Sequence, residues 1–186
     1  TQIFAYRSDA PAPAEEVPMA CPNCHSGVRV FPFRDRFSWI ASCVKCGLRY
    51  VTPQPSDEEL MEIYSDTYYC GFGFTAEFPS SYREMKQIGC ARLLSFAETF
   101  VSPGSLVDVG SALGDMLLVA SQRGWKATGI ERNSYAVACA NELLPSATLH
   151  GSLESVNLPA ASADLVTCLD VIEHLREPSR AFLRVF

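Results

Sequence analysis

The feature that most constrains this chain is a short apolar segment that runs directly into a turn of small residues. Residues 106–114 read LVDVGSALG, with the acid Asp108 near the end of a predicted strand and a predicted helix after the turn. A second apolar segment, residues 126–130, ends on Glu131, about one β-α-β crossover further along. A carboxylate at that place can accept hydrogen bonds from both hydroxyls of a ribose. The pattern predicts a parallel α/β sheet and a ligand that contains a ribose.

The spacing of the small residues decides which kind of ribose ligand is favoured. A dinucleotide site uses G-x-G-x-x-G, so that amides at a helix N-terminus can hold a pyrophosphate. The run here is Gly110-Ser111-Ala112-Leu113-Gly114, which lacks that spacing. The turn therefore does not favour a pyrophosphate ligand.

From Asp108, the run D-x-G-x-A-x-G resembles motif I of class I S-adenosylmethionine-dependent methyltransferases, with Ala112 in place of the middle glycine. The resemblance implies that Asp108 orients the amino end of the methyl donor and that the glycines let the backbone approach it closely. The residues assigned to the cofactor in this region are Asp108, Gly110, Ser111, Ala112, Gly114 and Glu131.

Residues 158–178, LPAASADLVTCLDVIEHLREP, resemble the fourth strand and the following loop of the same enzymes. Residues 164–169 are a mostly apolar predicted strand, and Asp170 marks its carboxyl end, beyond which ligands bind in open parallel sheets. The resemblance also places the adenine near Ser152 and Leu153, although Ser152 stands where the family often has an acid. Asp170, Ser152 and Leu153 are therefore further predicted cofactor contacts.

His174, which follows the fourth predicted strand, is the candidate catalytic base. The alternative is a histidine that only caps its own turn. Asp170, Glu173 and His174 also resemble the E-x-x-E-H metal motif of small-RNA 2′-O-methyltransferases, with aspartate for the first glutamate. A second metal site, in which a divalent ion polarises a hydroxyl of the methyl acceptor, is therefore a further alternative.

Two C-x-x-C pairs form the second chemical signature of the chain. Cys21 and Cys24 are separated by 18 residues from Cys43 and Cys46. Two such knuckles suit a tetrahedral Zn²⁺ site of four thiolates, and VRVFPF and RFSWI between them predict a β-hairpin. Disulfides are disfavoured by a cytosolic location, and a redox-active C-x-x-C is disfavoured without a thioredoxin-like β-α-β context. The segment therefore predicts a zinc ribbon.

The segment after the ribbon, residues 43–69, resembles a linker of bacterial methyltransferases that carry an N-terminal ribbon. Ser56 is predicted to cap a helix with three acids in its first turn. Tyr68 and Tyr69 are candidates either for a substrate pocket or for packing against the core.

Apolar residues at near-helical spacing predict an amphipathic helix over residues 80–100. Those apolar residues are Met85, Ile88, Leu93, Phe96 and Phe100. In the related fold such a helix lines the entrance to the cofactor site, so Tyr82 or Arg83 is a candidate contact to the methionine carboxylate. The alternative is that this face of the helix is exposed to solvent and contacts no ligand.

Composition limits the cell compartment and the partners. The chain has 186 residues, 48% of them hydrophobic, and a formal net charge of −6, which disfavours a general nucleic-acid binder. The sequence lacks a run of about 20 apolar residues and a secretory signal, so we expect a cytoplasmic protein that does not bind membranes.

The predicted fold class is α/β, a Rossmann-like parallel sheet preceded by the zinc ribbon, and the resemblance to the methyltransferases implies strands in spatial order 3-2-1-4. The expected domains are an N-terminal arm (1–20), the ribbon (21–53), a helical linker and cofactor cover (54–102), and a partial methyltransferase domain (103–186). Because the related enzymes continue through three more strands, we expect a truncated sheet. A missing C-terminal half or a second copy would then cover the apolar edge of strand four.

Together these patterns predict S-adenosylmethionine-dependent methyl transfer to a small metabolite or a carrier-bound intermediate, with Zn²⁺ in the ribbon. Two alternatives remain open from the residues alone. One is an RNA methyltransferase whose basic ribbon grips phosphates. The other is a cofactor-binding scaffold without catalysis whose ribbon docks a protein. The sequence names neither the methyl acceptor nor the acceptor atom.

Overall fold

A computed structural model of the chain describes residues 20–34, 39–65 and 80–185. Within these residues the chain divides into two compact units. The first consists of residues 20–34, 39–59 and 175–183, and the second of residues 60–65, 80–174 and 184–185.

The first unit is built on a three-stranded antiparallel sheet in the order β1-β2-β3. Its strands are Arg29–Arg34, Trp39–Cys43 and Arg49–Thr52. The predicted hairpin is confirmed as β1 and β2, whereas β3 was not predicted. Tyr50 and Thr52 on β3 are buried and alternate with exposed residues, which is the pattern of a strand with one covered face. Four residues after a turn give too short a pattern to recognise reliably in sequence.

Helix α1 spans Asp57–Ile63 and begins with a capping box. The Glu59 amide donates to the Ser56 hydroxyl at 3.1 Å, and the Ser56 amide donates to Oε2 of Glu59 at 2.6 Å. These two bonds satisfy backbone donors that a helix start leaves without intrahelical partners. The predicted cap at Ser56 is thus confirmed.

The second unit contains a four-stranded parallel sheet in the order β6-β5-β4-β7, which confirms the predicted 3-2-1-4 order. Its strands are Ser105–Val109 (β4), Lys126–Glu131 (β5), Thr148–His150 (β6) and Leu165–Cys168 (β7). The central strand β4 pairs with β5 on one side and with β7 on the other. Because the strands are parallel, their carboxyl ends meet at one edge, where ligands bind in such sheets.

Helices precede, connect and follow these strands. They are Ser80–Ala97 (α2), Asp115–Gln122 (α3), Ser134–Leu143 (α4) and Pro178–Val185 (α5), with a 3₁₀ turn at Ile172–His174. The main buried cluster unites α2, α3 and the start of β4 and β5 through Leu94, Leu106, Met116, Val119, Ala120 and Trp125. Among the described helices, none combines the length and the apolar character that crossing a membrane requires.

Helix α2 is present but ends at Ala97 rather than residue 100, and the five apolar residues that predicted it are all exposed. Phe96 and Phe100 are 68% and 78% exposed and contact each other edge to face, with ring centroids 5.2 Å apart. The packed side is instead formed by Leu94 with the smaller Cys90 and Ala91. The spacing identified the helix, but it did not identify the face that α3 covers.

Gly129 in the middle of β5 allows the turn after β4 to lie directly on the sheet. A Cβ atom at Gly129 would lie 2.8 Å from Cδ1 of Leu117 and 2.8 Å from Cβ of Ser111, which is closer than Cβ contacts are normally found. A glycine inside a strand typically marks such a close approach.

We expect Gly129→Ala to lower the free energy of unfolding by about 1–3 kcal/mol, because the added methyl group overpacks this contact. Urea unfolding followed by circular dichroism measures the change. Gly89→Ala is the matched control: Gly89 lies in α2 with open space around its Cα, so alanine there should raise stability by roughly 0.5–1 kcal/mol. Wild-type stability of Gly129→Ala would contradict the close approach.

Candidate functional site

The four cysteines of the first unit come together as the sequence predicts. The Sγ atoms of Cys21 and Cys46 are 3.5 Å apart, as are those of Cys24 and Cys43, and all four lie within 4.8 Å of one another. Four thiolates about 2.3 Å from a tetrahedral Zn²⁺ would be roughly 3.8 Å apart, so the donor set and its spacing fit a structural zinc ion.

Backbone amides near two of the sulfurs, those of Cys43 and Cys46, favour the thiolate form that zinc requires. The amide of Leu48 lowers the pKa of Cys46 to about 6, and the amide of Cys46 lowers the pKa of Cys43. Each knuckle is a tight turn: the His25 amide donates to the Cys21 carbonyl and the Gly47 amide to the Cys43 carbonyl, both at 2.9 Å. The turns hold the sulfurs together.

We expect the purified protein to contain one zinc ion per chain, measured by inductively coupled plasma mass spectrometry. Cys43→Ser should reduce the zinc content to well below one, because it removes a nearly fully buried thiolate ligand. Cys139→Ser, in α4 and outside the cluster, is the control and should retain the metal. A metal-free wild-type protein, purified without chelators, would contradict the assignment.

At the end of β4, the turn adopts a backbone that small residues make possible. Gly110, Ala112 and Gly114 all have positive φ angles, of 73°, 47° and 85°. A side chain at Gly110 would collide with Val171, so the loop after β7 lies directly against this turn. The alanine at the middle position and the two glycines that flank it therefore suit a turn that has positive φ angles and packs closely against neighbouring residues.

Glu131, at the tip of β5, holds this turn in place. Its Oε2 atom accepts a hydrogen bond from the Ala112 amide at 2.9 Å, and its Oε1 atom accepts one from the Asn133 amide at 2.9 Å. The side chain is only 8% exposed. Each carboxylate oxygen has a further lone pair, so the group can still accept two hydrogen bonds from a ligand.

Asp108 lies beside Glu131 near the tip of β4 and is 4% exposed. Desolvation by burial raises the pKa of Asp108 to about 7, and the charge of Glu131 adds to the increase. The Thr167 hydroxyl opposes this shift by donating a 2.7 Å hydrogen bond to Oδ1 of Asp108. The carboxyl groups of Asp108 and Glu131, at the tips of two adjacent strands, are therefore both buried from solvent.

Arg83 on α2 connects that helix to the turn. Its Nη2 atom donates to the Leu113 carbonyl at 3.3 Å, and its Nε atom lies 3.4 Å from Oδ1 of Asp115. Gln87 donates to the same Asp115 oxygen at 3.1 Å. The sequence raised Arg83 as a candidate cofactor contact, and the structure places it at the turn that carries Ala112.

Ser152 and Leu153 lie in the loop after β6. This loop is fastened to Glu131, whose carbonyl accepts from the Gly151 amide at 2.8 Å. Leu153 is buried, and its carbonyl accepts a 2.7 Å hydrogen bond from Nε of Arg184, which sequence reasoning did not single out. The Ser152 amide is occupied locally by the Ser155 hydroxyl at 2.8 Å.

Asp170 and His174 lie in the loop after β7. Asp170 is exposed and has a positive φ of 54°. The His174 ring is about half exposed and contacts Tyr64 edge to face, with centroids 5.7 Å apart. Tyr64 is tied to the tip of β5, because its carbonyl accepts from the Asn133 side chain at 2.9 Å.

The second metal site considered from the sequence does not assemble in the described part of the chain. Nε2 of His174 and Oε1 of Glu173 are 3.9 Å apart, but the two residues and Asp170 do not form a group of three metal ligands. In residues 20–34, 39–65 and 80–185 the four cysteines are the group whose ligand atoms lie close enough together to hold a metal ion.

Tyr68 and Tyr69, the candidates for a substrate pocket, lie outside the described residues.

Among the residues at the strand tips, sequence reasoning missed Asn133 and Thr167. Asn133 caps α4 by accepting from the Ala136 amide at 2.8 Å, and an asparagine before an alanine-rich helix was a usable signal. Thr167 gave no signal, because its importance arises from the register of β4 against β7.

Comparisons with known proteins agree with this geometry. The family model described as "Methyltransferase domain" matches residues 107–186. Magnesium protoporphyrin IX methyltransferase (ChlM) from Synechocystis PCC 6803, with bound SAH, is similar at 16% identity and a TM-score of 0.51, over 70% of this chain and 66% of that chain. No curated protein matches this chain.

A structure of the plantazolicin methyltransferase BpumL, in complex with a monoazolic desmethylPZN analog and SAH, is similar at 20% identity and a TM-score of 0.49. The alignment covers 57% of this chain and 46% of that chain. This chain therefore spans less than half the length of that protein.

The parallel order β6-β5-β4-β7, with acids at neighbouring strand tips, defines the class of Rossmann-like α/β domains. Within that class, residues 107–186 match the family model described as "Methyltransferase domain", in the same segment that carries the motif I resemblance.

The buried carboxyl of Asp108 allows a stability prediction. Its folded pKa of about 7 lies above the ordinary value of 3.8, so ionising it in the folded protein opposes folding as the pH rises from about 4 to 7. Asp108→Asn should therefore stabilise the ligand-free protein at pH 8 by on the order of 2–4 kcal/mol and have little effect near pH 4. Urea unfolding at both pH values measures this, and an equal effect at both would contradict burial as the cause.

Proposed function

We propose that this protein transfers a methyl group from S-adenosylmethionine to a small metabolite or a carrier-bound intermediate. The observation that carries the proposal is the pairing of Asp108 and Glu131 at adjacent strand tips, with Glu131 bonded to the glycine-containing turn. This pairing lies in the segment that matches the methyltransferase-domain family. SAH, the product left after methyl transfer, is bound in the similar ChlM structure.

The described residues can account for each part of the donor. The two free acceptor positions of Glu131 suit the ribose hydroxyls, and Asp108 suits the ammonium group of the methionine end. The turn at Gly110, Ser111, Ala112 and Gly114 brings backbone close to the donor, and Ser152 and Leu153 are the residues proposed beside the adenine. When bound, the donor supplies an electrophilic methyl group on a positively charged sulfur.

His174 is the proposed catalytic base on the acceptor side, and the contact with Tyr64 orients its ring. Asp170 lies in the same loop and is proposed beside the donor. The chain's own role in such a displacement is mainly to hold donor and acceptor in line, with His174 removing a proton from the acceptor where one must leave. A four-thiolate zinc site needs reduced cysteines, which supports the proposed cytoplasmic location.

Donor binding tests the cofactor half of the proposal. We expect Glu131→Ala to weaken binding of S-adenosylhomocysteine at least tenfold in isothermal titration calorimetry, because two hydrogen bonds to a buried carboxylate are lost. Glu142→Ala, which changes an exposed glutamate on α4, is the matched control and should bind like wild type. Thermal melting of each variant checks that it is folded.

A second readout compares two ligands on the same protein, so a smaller folded fraction affects both measurements equally. Wild type should prefer S-adenosylhomocysteine to its 2′,3′-dideoxy analogue, whereas Glu131→Ala should bind the two equally, since the acceptor of the ribose hydroxyls is gone. Unchanged discrimination in the variant would refute the ribose assignment.

Incubating the wild-type protein with methyl-labelled donor and a lysate tests methyl transfer itself. A labelled small molecule supports the proposal, and labelled RNA favours the RNA methyltransferase. Donor binding without any labelled product favours the scaffold without catalysis.

A further inference from the structure

Thr167 is placed by the sheet so that its side chain reaches the acid of motif I. In the parallel pairing of β4 with β7, Asp108 is the register partner of Thr167. The Thr167 hydroxyl donates a hydrogen bond of 2.7 Å to Oδ1 of Asp108, which is short and suits a charged acceptor. The contact joins two segments that are 59 residues apart in sequence.

The surroundings of Asp108 make that single hydroxyl important. The groups that interact electrostatically with Asp108 are Glu131 on β5, Cys90 on α2, and Thr167 and Cys168 on β7. Glu131 disfavours a second negative charge, and burial raises the pKa values of the two thiols, so they remain neutral and cannot offset the charge of Asp108. Of these four neighbours, the Thr167 hydroxyl is the one that stabilises the Asp108 carboxylate.

We propose that Thr167 is a positioning residue for donor binding, whose hydroxyl favours the ionised form of Asp108 and fixes that carboxylate so that it can accept a hydrogen bond from the ammonium group of the methionine end. This inference rests on the proposed function and assigns a role that the motif resemblance did not include. Thr167 itself need not touch the donor, since it acts through Oδ1 of Asp108. The other carboxylate oxygen, Oδ2, is then the one directed to the ligand.

A second buried threonine in the same sheet provides an internal comparison. Thr148 on β6 is 5% exposed, and its Oγ1 atom has no hydrogen-bond partner. Valine has nearly the same shape as threonine, so Thr148→Val and Thr167→Val remove the same group from two strands of one sheet. The two substitutions differ in one respect that matters here: the hydroxyl of Thr167 is bonded to Asp108, whereas that of Thr148 is not.

The test is the dissociation constant of S-adenosylhomocysteine between pH 6 and 9, measured by calorimetry for wild type, Thr167→Val, Thr167→Ser and Thr148→Val. Loss of the hydroxyl raises the pKa of Asp108 further, so Thr167→Val should bind about fivefold more weakly than wild type at pH 7. The deficit should shrink to within about twofold at pH 9, where the carboxyl ionises in both proteins. Titration of the ligand's own amino group cancels in the ratio of variant to wild type.

Rescue separates positioning from packing. Thr167→Ser retains the hydroxyl and should bind within twofold of wild type, and Thr148→Val should match wild type at every pH. A deficit of Thr167→Val that is absent, or equal at all pH values, would overturn the inference while leaving the proposed function standing. Wild-type protein that fails to bind S-adenosylhomocysteine throughout the pH range would instead refute the proposed function. The two failures are therefore distinguishable.

Discussion

The candidate donor site depends on the two hydrogen bonds that Glu131 accepts from backbone amides. One comes from Ala112 in the turn after β4, and the other from Asn133 at the start of α4. A single carboxylate therefore fixes two backbone segments relative to each other. Because both bonds go to a charged acceptor of low exposure, they are stronger than ordinary amide hydrogen bonds. The same oxygens keep lone pairs for a ligand, so structural support and recognition reside in one group.

The position of Asp108 near Glu131 lowers the stability of the ligand-free protein when Asp108 is ionised. Burial and a neighbouring like charge both disfavour ionised Asp108, which raises its pKa to about 7. A cationic ligand group would relieve this repulsion, which is how a site can be selective for an ammonium group while weakening the ligand-free protein. The Thr167 hydroxyl offsets part of the cost, and Gly129, the register partner of Asp108 on β5, gives room for Ser111 above the sheet.

Much of this architecture could be predicted because its signals are local. The run from Asp108 to Gly114 requires small residues where the backbone adopts positive φ, and paired C-x-x-C motifs require a common metal-sized centre. The limits are equally physical. Strand β3 is too short to show a period, and the apolar spacing in α2 identified a helix without revealing which face α3 covers, because packing partners lie elsewhere in the chain.

By itself, the sequence determined the four-cysteine ribbon and the acids that occupy the strand tips, since each follows from local spacing and residue chemistry. The parallel strand order followed from the resemblance of the motifs to a known family. Only the tertiary structure decided which groups meet: Thr167 with Asp108, Glu131 with the Ala112 amide, and Tyr64 with His174. Those contacts join residues far apart along the chain, and strand register sets the first of them. A shift of one residue in β7 would direct the Thr167 side chain to the opposite face of the sheet.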